Sequence, residues 1–385
     1  MRQGTFQWMK SVNKSTILNK IRTEGPISRA QIAKDTKLTP PTVSSNVREL
    51  IEQDIVKESD LGESQGGRKP TMLLINHQAF YVIGVDAGSE RIDFILADLE
   101  GKVVNQISRK VALPASNEGF VETLKDGIKT IIDGAPIEQE KIVGIGIAMH
   151  GVVDVDTGIS QFAPNIGLTN IPIKAELEKA FDLEVKVEND ARAMALGEAW
   201  FGNHGDVGSM LVVNIGRGVG AGVIIDGKLY HGAQDLAGEV GHMTIDINGQ
   251  MCTCGNKGCL QTFITGPAIA KRAEHIVDQG MTGEAVFEQA RSGNKQLVHL
   301  FEEVGEMIGI GLTNLIHIIN PEKVVLGGGV TKAESLLLPR ISQTIKERAL
   351  TPQAKQTDVV IGDLGDRSTI IGAATLILED IFDPI

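Results

Sequence analysis

The chain has 385 residues, of which 42% are hydrophobic, enough for two or three domains with sizeable cores. It has no run of about 18 apolar residues. Its first residues, MRQGTFQWMKSVNK, lack an apolar stretch, which argues against a membrane span or a secretory leader and for a cytoplasmic protein. A net charge of -12 speaks against nucleic acid, yet residues 1–77 carry 12 Lys and Arg against 8 Asp and Glu, while the remainder carries 25 against 41. A basic N-terminal module thus precedes an acidic body.

In chain order, Ile17, Leu18 and Ile21 predict a short amphipathic helix that stops at Glu24-Gly25-Pro26. Ser28-Arg29-Ala30-Gln31 has capping-box spacing, Ser28 capping and Gln31 reaching back, and opens a second helix through Asp35. Thr39 as cap and Pro40 in the first turn open a third, whose Val43, Val47, Leu50 and Ile51 predict a buried stripe. The opposite face carries Pro41, Thr42, Ser45, Asn46 and Arg48. Small polar side chains let a helix approach base edges, and Asn and Arg supply readout and phosphate contacts, so these five are candidate DNA-binding residues. Strands at 55–58 and 72–75 predict a hairpin whose tip ends in Arg68 and Lys69, within reach of phosphates or a minor groove. Residues 1–77 therefore predict a winged helix-turn-helix; the simpler alternative is a three-helix interaction module.

The body, residues 78–385, contains an internal repeat. Tyr81–Asp86, a Gly turn, Ile92–Ala97 and the turn Glu100-Gly101-Lys102 are echoed by Leu211–Asn214, Gly216-Arg217-Gly218, Val223–Ile225 and Asp226-Gly227-Lys228. Each copy is followed by helical segments, at 119–133, 266–279 and 301–319, which predicts an α/β fold with two similar lobes. Asn189 and Asp190 follow a strand at 184–187 and precede a helix at 191–199. They are suited to hydroxyl recognition or to simple helix capping. All three cysteines, Cys252, Cys254 and Cys259, lie within eight positions in a Gly-rich segment, ten residues past His242. Three thiolates and one imidazole fill a tetrahedral structural zinc site; unrelated thiols, or a disulfide with one spare, are the alternatives.

Glu239-Val240-Gly241-His242 followed by Cys-x-Cys-Gly-x-x-Gly-Cys resembles the signature of the ROK family of sugar kinases and sugar-responsive repressors. The resemblance spans the chain and implies a duplicated actin-like, ribonuclease-H-like two-lobe sensor after the winged helix, with sugar bound between the lobes. It implies sugar contacts from Gly151, Asn165, Asn189, Asp190, Glu239, His242 and Gln261, and zinc held by His242, Cys252, Cys254 and Cys259. Two positions depart from the kinases: His150 stands where Pro is usual and Gln261 where Glu is usual. His150 fills room that a hexose needs, which favours a pentose. The kinase phosphate loops are altered too. Glu90 replaces a Thr hydroxyl, and a like charge about 4 Å from a phosphate costs about 1 to 4 kcal/mol; Arg217 sits in the second Gly turn. The expectation is therefore no catalysis. The resemblance is strongest to xylose-responsive repressors and implies a homodimer released from operator DNA by xylose. An ATP-dependent sugar kinase, or a repressor responding to glucose or N-acetylglucosamine, are the alternatives.

Overall fold

The computed structural model describes residues 12–59, 70–205, 207–277 and 279–382. Two compact units emerge, Met1–Glu188 with Ala373–Ile385, and Asn189–Gly372.

The first unit begins with helices α1 (Val12–Glu24), α2 (Arg29–Thr36) and α3 (Pro40–Glu52), with a small sheet of β1 (Ile27–Ser28), β2 (Val56–Ser59) and β3 (Met72–Ile75) in the order β1-β3-β2. This is a winged helix. Ile17, Leu18, Ile32, Val43, Val47 and Leu50 are fully buried, as the 3.6-residue spacing requires, while Ile51 is only half-buried at the edge of the stripe. Two caps set the helix starts: the Gln31 amide donates to Ser28 Oγ at 3.2 Å, and the Thr42 amide to Thr39 Oγ1 at 3.3 Å. The capping box at Ser28 is only half formed. Gln31 turns forward, its Nε2 donating to Asp35 Oδ1 at 2.7 Å, because Asp35 is already anchored by Lys20 at 3.1 Å. The two-residue β1 was not legible in the sequence, being too short to show alternation.

Next, β4 (Tyr81–Ala87), β5 (Arg91–Asp98), β6 (Val103–Lys110), α4 (Asn117–Asp133) and β7 (Ile142–Met149) lead into a small antiparallel sheet of β8 (Val152–Asp154), β9 (Ile159–Ala163) and β10 (Leu168–Ile171). Helix α5 (Ile173–Phe181) and β11 (Glu184–Asn189) follow, and the main sheet has the order β11-β7-β4-β5-β6. Its core is a continuous cluster that includes Ile83, Phe94, Leu124, Ile145 and Val185.

The second unit repeats the plan. Helix α6 (Asp190–Phe201), β12 (Ser209–Ile215), β13 (Val219–Ile225) and β14 (Lys228–Tyr230) precede the cysteine segment. Then come α7 (Gln261–Ile264), α8 (Gly266–Ala273), α9 (Gly283–Arg291), α10 (Lys295–Ile319), β15 (Lys323–Gly327), α11 (Glu334–Arg348), β16 (Asp358–Ile361) and α12 (Ser368–Phe382). The sheet order β14-β13-β12-β15-β16 matches the first sheet strand for strand, and Gly101 and Gly227 turn at φ 74 in both copies. The helix expected at 266–279 ends at Ala273, and α9 was not foreseen. Glu198, fully buried on α6, receives the Ser368 hydroxyl at 2.6 Å and the amides of Asp363 and Leu364 at 3.2 Å, and lies 2.7 Å from His204 Nε2. Every oxygen lone pair of that buried carboxylate is thus directed at a partner, which is what makes its burial tolerable.

Helix α12 has its first residues in the second unit and the rest in the first. Its last described residue, Phe382, is fully buried, and the Arg22 guanidinium of α1 stands 5.7 Å over its ring. No helix among the described residues is long and apolar enough to cross a membrane.

Candidate functional site

The outer face of α3 presents Pro41, Ser45 and Arg48 exposed and Thr42 and Asn46 half-buried, so all five candidate DNA-binding residues of this helix share the face away from the core. The Asn46 amide donates to the Thr42 carbonyl at 2.8 Å, and the Thr42 hydroxyl lies 2.8 Å from that of Thr39. Arg68 and Lys69 lie outside the described residues.

In the first unit, β7 ends in a turn that places His150 and Gly151. Gly151 has φ +89, and a Cβ there would stand 2.1 Å from the Phe162 carbonyl oxygen and 2.9 Å from the Pro164 ring. Only glycine fits. That close approach brings Gly151 against the turn carrying the exposed Asn165. His150 is 7% exposed, and its Nδ1 lies 3.1 Å from the Ala87 carbonyl at the end of β4. The carbonyl can only accept, so Nδ1 carries the proton.

In the second unit, Asn189 caps α6. Its Oδ1 accepts from the amides of Ala191 at 3.0 Å and Arg192 at 3.2 Å, so this side chain has the capping role weighed from sequence. Asp190 opens the helix, half-buried. Glu239 follows the irregular segment after β14 and is 40% exposed. Partial burial pushes its carboxyl above the usual range; His242 and Arg192 pull it down and Asp190 adds to the rise. Glu239 thus feels the charges of His242, Asp190 and Arg192, and its carboxyl can accept hydrogen bonds.

His242 joins this carboxylate to the cysteines. Its Nε2 lies 4.0 Å from Glu239 Oε2 and its Nδ1 3.6 Å from Cys252 Sγ. Cys254 and Cys259 bring their sulfurs within 3.7 Å, and the four donor atoms all lie within 4.8 Å of one another. A tetrahedron with metal–sulfur bonds of about 2.3 Å has sulfur–sulfur edges of roughly 3.8 Å, so donors gathered this closely are of the type and spacing that could hold a metal ion. All three cysteines are free thiols, so there is no disulfide. Burial pushes the Cys252 thiol up, but hydrogen bonds involving Cys254, Gln261 and His242 outweigh it and bring the thiol down to about 6. Burial, with Cys254 and Cys252 beside it, pushes Cys259 up to about 12. Two crowded sulfurs cannot both ionise easily without a cation between them. The Gln261 amide nitrogen donates to Cys252 Sγ at 3.1 Å, so Gln261 is in contact with a cysteine of the cluster. The knuckle is held by backbone bonds, from the Cys252 amide to the Asn256 carbonyl at 2.8 Å and from the Leu260 amide to the Met243 carbonyl at 2.9 Å. Gly258 closes it at φ +69, where a Cβ would stand 1.6 Å from the Asp246 carbonyl oxygen.

Residues 82–380 match the model of the ROK family, and residues 13–57 match a winged helix-turn-helix DNA-binding model. The chain belongs to the ROK family. It is 33% identical to the xylose repressor of Caldicellulosiruptor bescii over 98% of both chains. It is 32% identical to the DNA-binding transcriptional dual regulator NagC of Escherichia coli, over 99% of this chain and 96% of that one. Among solved structures, a ROK family transcriptional regulator described as a homologue of the E. coli MLC protein aligns with a TM-score of 0.87, at 28% identity, over 98% of this chain and 97% of its own.

Within this ROK chain the turns that carry Glu90 and Arg217 have a structural setting. Glu90 is exposed after the β4 turn. Gly216-Arg217-Gly218 closes a tight turn, the Gly216 amide donating to the Gly218 carbonyl at 2.9 Å, and borders a cavity of about 600 Å³ lined by Arg217, Phe287, Arg291, Phe301 and Lys332. Arg291 is paired with Glu288 at 2.7 Å and Lys332 faces Glu284 at 3.7 Å, so part of the positive charge around this cavity is already met by carboxylates. Sequence reasoning missed Arg192. Its signal was a lone charge inside the otherwise small and apolar run Ala191–Leu196.

Proposed function

We propose that this chain is a sugar-responsive transcriptional repressor whose inducer is xylose. What supports the reading is that His242 lies 4.0 Å from Glu239 and, like Gln261, meets the Cys252 sulfur, with Asp190 bearing electrostatically on Glu239, in a chain that also carries a winged helix. Hydroxyl groups both donate and accept, and this set offers carboxylates, an imidazole and an amide to meet them. Asn189, Gly151 and Asn165 are the further residues that the family resemblance assigns to sugar contacts. His150, buried at the end of β7, supports a smaller sugar such as a pentose. Zinc is the metal assigned to His242, Cys252, Cys254 and Cys259: it closes the site with four protein ligands and supplies a rigid staple. With Glu90 and Arg217 in the phosphate turns, the chain is assigned no catalytic activity.

In this reading residues 1–77 bind DNA through Pro41, Thr42, Ser45, Asn46, Arg48, Arg68 and Lys69, and residues 78–385 sense sugar and dimerise. A cytoplasmic homodimer reads a palindromic operator, because a two-fold protein presents its recognition helices to two half-sites. Xylose binds the arrangement that does not fit DNA more tightly than the one that does, since a ligand of equal affinity for both shifts nothing. The test is operator binding by fluorescence anisotropy at fixed salt, titrated with xylose, glucose and N-acetylglucosamine. Release by xylose alone is expected. Release by another sugar changes the inducer, and ADP formation from ATP with any sugar overturns the non-enzyme assignment.

A further inference from the structure

Arg192 leads the largest fully buried side chains, at 2% exposure, and lies two residues past Asp190 on α6. A guanidinium is removed from water at a cost that must be met by partners for its donors and its charge. Its Nη1 donates to the Asp235 carbonyl at 2.6 Å and reaches the Ala237 carbonyl at 3.4 Å. Both carbonyls belong to residues 231–238, which have no regular structure and run directly into Glu239. Backbone bonds fasten the segment at two other points, from the Ala237 amide to the His231 carbonyl at 3.0 Å and from the Ala221 amide to the Gly238 carbonyl at 2.8 Å. Asp235, between them, turns with φ 53, a conformation that an isolated residue of this type adopts only at some cost.

We propose that Arg192 is a positioning residue of the sugar site: by gripping the backbone at 235–237 it fixes where Glu239 stands relative to Asp190, and it touches no sugar itself. The proposal rests on the reading of Glu239 as a sugar ligand. The two groups that Arg192 joins come from different elements, the helix that begins with Asp190 and the segment that ends in Glu239. The guanidinium thus ties the segment to α6 at the Asp235 and Ala237 carbonyls. Its charge also bears on Glu239, opposing the rise caused by burial and Asp190.

Two arms test this on the full-length, zinc-loaded protein. In the first, without sugar, amide exchange of residues 232–239 is followed in wild type, Arg192→Met and Arg192→Lys. Exchange at least about ten times faster in Arg192→Met is expected, with Arg192→Lys in between, because a charge-assisted hydrogen bond of this kind carries about that factor. Unchanged exchange overturns the proposal. In the second arm, the xylose dissociation constant of Arg192→Met rises about 10- to 100-fold, Arg192→Lys again falling between. In a Glu239→Ala background the same change adds little, since a residue that acts through Glu239 has nothing left to position. Wild-type affinity in Arg192→Met, or a loss that simply adds to that of Glu239→Ala, overturns it. If Arg192→Met does not fold, Arg192→Lys carries both arms: faster exchange with weaker xylose binding supports the proposal, and wild-type values reject it. Wild type that fails to bind xylose rejects the inducer assignment, and the sugar-free arm then decides the role of Arg192.

Discussion

At the scale of single residues, the chemistry is concentrated where backbone and side chain constrain each other. His242 faces a cysteine sulfur with one nitrogen and Glu239 with the other, so a metal that orients the imidazole also bears on the position of that carboxylate. Cys254→Ala is accordingly expected to lose stoichiometric zinc and to lower the melting temperature of the second unit, while leaving the circular dichroism of the winged helix intact; metal analysis and a thermal scan check both. Full inducer response in a metal-free protein argues against the structural role. Gly258→Ala tests the knuckle from the backbone side. Its new Cβ meets a carbonyl oxygen at 1.6 Å in a left-handed conformation, so a loss of about 1–3 kcal/mol is expected on denaturant titration, with zinc released at lower denaturant than in wild type.

At the scale of elements, α3 divides its labour between two faces. Leu50 is fully buried, and Leu50→Ala is expected to cost about 2–5 kcal/mol of winged-helix stability on denaturant titration. Arg48 is exposed on the other face. Arg48→Ala is expected to leave stability within about 0.5 kcal/mol. If Arg48 meets a phosphate, the change weakens operator binding across sequences and lowers the salt slope by about one. A change confined to one base position assigns Arg48 to readout instead. Much of these elements was legible in the sequence. Thr39-Pro40 and the spacing of Val43, Val47 and Leu50 are local signals, and a cap followed by an apolar stripe states a helix without reference to anything distant. The side-chain choice of Gln31 was not legible. Its amide chose Asp35 over the backbone because Lys20, eleven residues upstream, holds Asp35 in place.

For the whole molecule, a ligand that binds only the folded state raises its stability by an amount set by concentration over dissociation constant, about 2.7 kcal/mol at a hundredfold excess. Xylose is therefore expected to shift the thermal transition of the sensor, and glucose and N-acetylglucosamine to leave it in place; a larger shift with either of those reassigns the inducer. Helix α12 extends from the second unit into the first and ends on Phe382 beneath Arg22 of the winged helix. The end of the chain thus packs against its first described helix, an arrangement that no local pattern announces.

The sequence by itself determined the winged helix, the duplicated α/β plan and the cysteine cluster. Each is written in short-range terms: caps and 3.6-residue spacing, two copies of one strand-and-turn pattern, and three thiols within eight positions. Only the tertiary structure decided that the Gln261 amide meets Cys252, that His242 lies between a thiol and Glu239, and that Arg192 reaches the carbonyls of Asp235 and Ala237. Apart from the His242–Glu239 pair within one turn, those contacts join residues 9 to 45 positions apart. Which of the available donors and acceptors meet is set by how the chain packs between them, and that packing is a property of the whole core rather than of any one stretch.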